Sequence, residues 1–171
     1  MNALKQKTEN QLAINDEDDK QTEPVVQFVS FHLGEELYGV NVIQVQEILR
    51  MTEITPVPGA AHYVKGIINL RGNIVTVIDL RQQLQMSEKE FTDLTRVIIL
   101  EGEKYTVGYI VDSVAGVIDL APSQIEKSPN ASRTDGKQHI TGVTTQNGEL
   151  LILLNVEYML NDSDYSSAVG F

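Results

Sequence analysis

The side chains able to do chemistry are few and scattered. His32, His62 and His139 lie far apart, with no second histidine or acid at ligand spacing, and read as surface or edge residues in place of metal ligands. There is no cysteine, which excludes disulfides and thiolate metal sites. The acidic run Asp16, Glu17, Asp18, Asp19 lacks the alternation and the glycine of a calcium loop. No serine sits in a nucleophile elbow, and the glycines lie in hairpin turns, not between a strand and a helix where they would cradle phosphate. Two carboxylates converging in space could still make a small hydrolase, an alternative the residues leave open. The sharper signal is recognition chemistry. Leu70 and Arg71 occupy a hairpin turn that asks for neither an exposed apolar side chain nor a guanidinium. A solvated turn is the bland reading; side chains kept there for function are the other.

The elements that hold this turn repeat along the chain. Residues 63–80 recur as residues 139–156 at an offset of 76, with Gly66 on Gly142, Gly72 on Gly148, Val64 on Ile140, Ile67 on Val143 and the apolar run 74–78 on 150–154. Both copies predict a β-hairpin, and Asn147-Gly148 is the pair that most readily takes the two positive φ angles of a type I′ turn. Residues 25–33, a turn at 34–36 and residues 37–40 form an earlier hairpin that returns at an offset of 69 as residues 96–100, 101–104 and 105–111. There Gly39 meets Gly108, Val45 meets Val114 and Ile48 meets Val117.

Between the hairpins, residues 42–49 set Val42, Val45, Ile48 and Leu49 at three- and four-residue spacing, which predicts one or two helical turns, with a strand left open by the β-branched content. The Thr55-Pro-Val-Pro-Gly59 stretch predicts an extended connector. Residues 80–84 and 156–160 predict short helices, and residues 126–138 a polar loop. The chain therefore reads as a polar, acidic and disordered tail over residues 1–24, a duplicated all-β domain over 25–160, and a flexible C-terminal tail over 161–171. Its two units, about 25–86 and about 95–160, are each too small to be stable alone, and two packed five-stranded β-barrels with short helical segments is the expected fold. Positions kept in both copies are scaffold. Departures, namely Glu47 against Gly116 and Leu70-Arg71 against Gln146-Asn147, are free for function.

The net charge of −11 is spread over tail and body, with 16 acids against 10 bases in residues 25–160, so a phosphate-backbone partner lacks its electrostatic footprint and no nucleic acid is expected. No apolar run approaches the length of a membrane span and no signal-peptide block opens the chain, so direct membrane insertion is not expected and the cytoplasm is the expected compartment.

Six runs together resemble the CheW family of bacterial chemotaxis coupling proteins: residues 31–40 (Phe-His-Leu-Gly-Glu-Glu-Leu-Tyr-Gly-Val), 45–48 (Val-Gln-Glu-Ile), 55–58 (Thr-Pro-Val-Pro), 64–72 (Val-Lys-Gly-Ile-Ile-Asn-Leu-Arg-Gly), 77–80 (Val-Ile-Asp-Leu) and 111–117 (Val-Asp-Ser-Val-Ala-Gly-Val). The likeness covers nearly all of residues 25–160. It implies two five-stranded barrels, no catalysis, no cofactor and no metal, and a scaffold role in two-component signal transduction, recruited to membrane receptor arrays. The implied partners are chemoreceptor cytoplasmic tips and the regulatory domain of the histidine kinase CheA. The receptor tip would lie in an inter-barrel groove lined by Glu47, Ile48, Leu70, Arg71, Val114 and Val117, with Glu47 and Arg71 paired at its mouth. The kinase would meet Val42 and Val45 and, on the second barrel, the region of Ile125, where Glu126 departs from an expected basic residue. A related chemotaxis protein fuses this domain to a phosphorylatable receiver, but nothing after Leu160 is long enough to be one. The rival reading is a stand-alone β-barrel module for a small ligand, or a small hydrolase.

Overall fold

The computed structural model describes residues 23–127 and 139–161. The expected terminal tails and the loop around Asp135-Gly136 lie almost wholly outside the described residues. Hairpin β1 (Val26–Leu33) and β2 (Glu36–Asn41) leads through a 3-10 turn at Val42–Gln44 into β3 (Val45–Arg50). Hairpin β4 (Val64–Leu70) and β5 (Asn73–Asp79) follows, capped by the one-turn helix α1 (Leu80–Gln83). The programme restarts with β6 (Arg96–Glu101), β7 (Thr106–Val111) and β8 (Ser113–Leu120). A short β9 (Glu126–Lys127), the hairpin β10 (Ile140–Gln146) and β11 (Glu149–Leu154), and α2 (Val156–Leu160) complete it. Of Val42, Val45, Ile48 and Leu49, only Val42 sits in a helical turn. From Val45 onward burial alternates with period two, so the strand alternative holds.

The mainly β, duplicated architecture expected from the sequence is present, as one six-stranded and one five-stranded sheet, and it departs from the two expected five-stranded barrels in two respects. First, the sheets do not follow the repeats: sheet one runs β8-β1-β2-β11-β10-β9 and sheet two runs β3-β6-β7-β5-β4. Each repeat gives its first hairpin to the sheet that holds the other repeat's remaining strands. The short link between β2 and β3 excludes one alternative, in which β3 crosses its own hairpin to lie beside β1. A three-residue 3-10 turn rises only about 6 Å, less than the roughly 10 Å needed to step over β1 at ~4.8 Å per strand. Instead β3 leaves for the other sheet and pairs antiparallel with β6, while β8, separated from β7 by Asp112 alone, pairs with β1. Second, neither sheet closes into a barrel: β3 and β4 are the two edges of sheet two, and no ladder joins them among the described residues.

The register of the two sheets is the same at every joint. Val45 opposite Leu100 repeats as Val114 opposite Phe31, and the bulge that follows is kept in both. The exchanged hairpins are sealed by parallel pairs, Val107 opposite Thr76 in one sheet and Tyr38 opposite Ile152 in the other. Gly39 and Gly108 stand at these joints. A Cβ on Gly39 would lie 3.0 Å from Leu153 Cδ2 across the joint, and one on Gly108 2.8 Å from Val97 Cγ1 of its own hairpin, so both positions are tight for a side chain. Along β6 the side chains alternate between two cores: Val97 and Ile99 fill the interior of sheet two with Ile68, Val77 and Ile110, while Ile98 and Leu100 face a shared layer with Phe31, Leu33, Val40 and Tyr109. Burial on both faces explains why these strands read as continuous apolar runs.

The turn of each exchanged hairpin is latched to the other sheet. Gly34 N–H donates to Asp112 Oδ2 at 2.6 Å, and Arg81 Nη1 of α1 donates to the same oxygen at 2.7 Å. At the equivalent joint Glu103 N–H donates to Glu157 Oε2 of α2 at 3.4 Å, and Gln44 Nε2 donates to Glu157 Oε1 at 3.2 Å. The two short helices begin alike, with Asp79 accepting from Arg81 N–H and Asn155 accepting from Tyr158 N–H. Asp79 is 2% exposed, and burial pushes its carboxyl above the ordinary carboxylate value despite the nearby Lys65.

Two outcomes are expected. Cut between Glu90 and Phe91, the first half keeps two hairpins and a lone strand, the second adds to such a set only the two-residue β9, and neither keeps its neighbours from the other half; isolated hairpins are marginal in water. Circular dichroism should show cooperative unfolding only when the halves are mixed; a half that melts cooperatively alone contradicts the exchange. For Asp79, a raised folded value means that its contribution to stability is full below the ordinary carboxylate value and is lost as pH rises through the folded one. Asp79→Asn keeps the cap that Asn155 already demonstrates and removes the buried charge. Its melting temperature should equal or exceed the wild type's at pH 7, with the gap closing as pH falls; a variant markedly less stable at pH 7 contradicts this.

Candidate functional site

The tip of hairpin β4–β5 is where the scaffold is forced. Arg71 takes φ 53° and Gly72 φ 88°, the left-handed pair of a type I′ turn, and Asn147 and Gly148 do the same in the second copy with φ 51° and 80°. Asn enters this region readily; an arginine there costs on the order of 1 kcal/mol. Asn69 supports the turn by accepting from Gly72 N–H at 2.9 Å. A residue poorly suited to its backbone is present for its side chain. Arg71 Nη1 forms an ion pair with Glu47 Oε2 at 3.2 Å.

That pair spans the seam of sheet two. Glu47 belongs to β3, the edge opposite β4, so the sheet must curl until its two edges approach, and the ion pair stands where a barrel's missing ladder would be. The Glu47 side chain is 18% exposed and Arg71 80%, so the guanidinium keeps donors turned to solvent. Beneath them Leu49, Met51, Ile54 and Leu70 close over the sheet-two core. Leu70 is half-buried there, which corrects its reading as an exposed turn residue. Outside the seam runs an open groove of about 420 Å³, lined by Glu47, Leu70, Arg71, Ile74, Lys104 and Tyr105 among others.

The remaining candidates distribute as follows. Ile48 projects from the outer face of β3 and is 40% exposed; Val117, its counterpart on β8, is 58% exposed. Val114 packs partly against the shared layer between the sheets, as does its counterpart Val45, together with Val42. The structure thus brings Glu47, Leu70 and Arg71 together at the seam, and none of Ile48, Val114 and Val117 lines that groove. Ile125 packs against the sheet-one core formed by Phe28, Leu37, Leu120, Leu151 and Leu153, while Glu126 is exposed on β9. Between Val42 and Val45, Ile43 is 85% exposed. Sequence reading passed over Ile43, although the repeat offset carries the signal: its counterpart is Asp112, the latch carboxylate. With Glu157 replacing Arg81 at the equivalent joint, position 43 has no cation to hold and is free to turn an apolar side chain outward. Of the histidines, His32 Nε2 lies 3.6 Å from Glu149 Oε1 and His62 packs edge-on against Tyr63, so they remain separate. The interiors of both sheets are filled by side chains, which leaves the small-ligand reading without support.

Comparison with known proteins places these features. The model of the CheW-like domain family matches residues 27–164. The chain is 36% identical over 141 residues to the chemotaxis protein CheW of Bacillus subtilis strain 168, covering 82% of this chain and 90% of that one. It is 33% identical over 138 residues to the chemotaxis protein CheW of Klebsiella aerogenes, covering 81% and 83%. The crystal structure of the scaffolding protein TtCheW from Thermoanaerobacter tengcongensis superposes with a TM-score of 0.74 at 30% identity, covering 82% of this chain and 96% of that one.

Because Arg71 is largely in water, its pair with Glu47 belongs to the weak, exposed class. A double-mutant cycle on Glu47→Gln and Arg71→Gln, read by urea unfolding, should give a coupling of about 0.2–1 kcal/mol that shrinks with added salt. Zero coupling at low salt, or a coupling of several kcal/mol, contradicts this geometry.

Proposed function

The chain belongs to the CheW family and is a chemotaxis coupling adaptor, and we propose that it couples by holding a chemoreceptor's cytoplasmic tip and the regulatory domain of the histidine kinase CheA on two separate surfaces. It does so without catalysis, and its place is at membrane receptor arrays; no helix among the described residues is long and apolar enough to cross a membrane. The observation that carries the reading is Arg71, held in a left-handed turn and pinned by Glu47 across the seam, where the duplicate copy makes do with Asn147 and Gly116. A scaffold that can be built without this pair keeps it for a partner.

The receptor surface comprises Glu47, Ile48, Leu70, Arg71, Val114 and Val117, the last of these on the edge strand β8. Exposed apolar residues on edge strands favour a protein partner that covers them. The kinase surface comprises Val42, Val45 and Ile125, with Ile43 as the residue that reaches it from the first of these, since Val42 and Val45 are themselves half-buried. Two distinct surfaces would let one chain bind both partners at once.

The test uses variants whose side chains are exposed, so that the fold is spared. Val117→Asp should abolish binding of a soluble receptor cytoplasmic fragment, because a carboxylate buried against an apolar partner costs several kcal/mol, about 2–7 for an uncompensated polar group. It should leave kinase binding unchanged, and Ile43→Asp should do the reverse. If Val117→Asp loses the kinase and keeps the receptor, the surfaces are assigned backwards; if both variants bind both partners normally, the docking surfaces lie elsewhere.

A further inference from the structure

Duplication poses a question that the fold alone does not answer. The two sheets have the same register, so the end of sheet two that carries the groove has a counterpart on sheet one built from the β1–β2 turn, the β10–β11 turn and β8. Both ends present the same apolar anchor. Ile74 is 68% exposed and its counterpart Leu150 is 52% exposed. An apolar partner alone would find two docking places on one chain.

Charge separates them. At the groove, Arg71 and Lys104 stand with Glu47 and Glu101, two cations against two carboxylates in a chain whose net charge is −11. None of the ion pairs among the described residues uses Lys104. At the counterpart end, Arg71 becomes Asn147, Lys104 becomes Glu35, Tyr105 becomes Glu36 and Asn73 becomes Glu149, while Glu47 becomes Gly116. Three carboxylates gather there beside His32. Since the scaffold tolerates either set, the cations at the groove are not required by the fold.

We propose that the groove takes an acidic segment of the receptor, with an apolar side chain seated on Ile74 and Tyr105 and a carboxylate bound by Lys104 and the solvent-facing donors of Arg71. At the counterpart end the carboxylates of Glu35, Glu36 and Glu149 repel the same acidic segment, leaving only apolar contact at Val117, so one chain binds one receptor tip in one orientation. This rests on the receptor reading above and adds to it the partner's charge, the contribution of Ile74, Lys104 and Tyr105, and the source of single occupancy. Like-charge juxtaposition as a means of excluding a wrong pairing is the physical basis.

Isothermal titration of the full chain with a soluble receptor cytoplasmic fragment, at low and at moderate salt, tests it. The wild type should bind one fragment per chain and weaken with salt. Lys104→Glu, in an exposed turn, should weaken binding by about tenfold or more, whereas the counterpart change Glu35→Lys should leave the affinity unchanged. Wild-type affinity in Lys104→Glu, an equal loss in Glu35→Lys, or two fragments per chain overturns the proposal. Salt-sensitive self-association of the chain alone that Lys104→Glu abolishes would reassign the groove to the acidic end of a second copy and overturns it too. A wild type that binds the kinase but no fragment at either salt overturns the receptor reading itself.

Discussion

Everything in this molecule hangs on two parallel joints, β2 against β11 and β7 against β5, where a hairpin from one repeat lies beside the last hairpin of the other. Gly39 permits the close approach at the first of them, and the three-residue and one-residue links after β2 and β7 are too short to pass back over their own hairpins. The consequence is energetic as well as topological. Exchange buries the first hairpins on both faces, one against the interior of the host sheet and one against the shared layer of Phe31, Leu33, Ile98, Leu100 and Tyr109. Two units of this size would each be marginal alone; exchanging their hairpins makes one cooperative body of them. The latches at Asp112 and Glu157 then fix the turns of the exchanged hairpins.

Once that body exists, the second copy acts as a reference for the first. A position filled alike in both copies answers to the scaffold, as the glycines at the joints do. A position filled differently is answered by something else, and the differences gather at one end of sheet two: Glu47 for Gly116, Arg71 for Asn147, Lys104 for Glu35. Arg71 carries the clearest mark, since its backbone conformation suits asparagine better and its guanidinium reaches back across the seam. An open seam is also what a closed barrel could not offer, namely an edge at which a side-chain pair and not a ladder of backbone bonds meets the solvent.

Much of this was legible beforehand, for physical reasons that can be traced. The hairpins were readable because Asn147-Gly148 and the alternating runs around it have one low-energy solution. The Glu47–Arg71 pairing came from the resemblance and from the two mismatched positions, and it stands at 3.2 Å. The exchange of hairpins was not readable from pattern, since period-two alternation reports that a strand is buried and says nothing of which sheet buries it. Val42 and Val45 carried the same ambiguity. Their apolar character fits a docking surface and a core equally, and the structure half-buries both while turning Ile43 outward. Leu70 looked exposed for the same reason: a turn tip is normally solvated, but here the curl of sheet two folds it onto the sheet-two core.

The central claim is that two partners are held at once on surfaces that do not overlap. Sedimentation of the wild-type chain with a membrane-embedded receptor and the kinase measures it directly. The account predicts a ternary complex in which the kinase pellets with the receptor in proportion to the chain added, and in which saturating receptor leaves the chain's affinity for the kinase undiminished. Competition, with the receptor displacing the kinase from the chain, would contradict it.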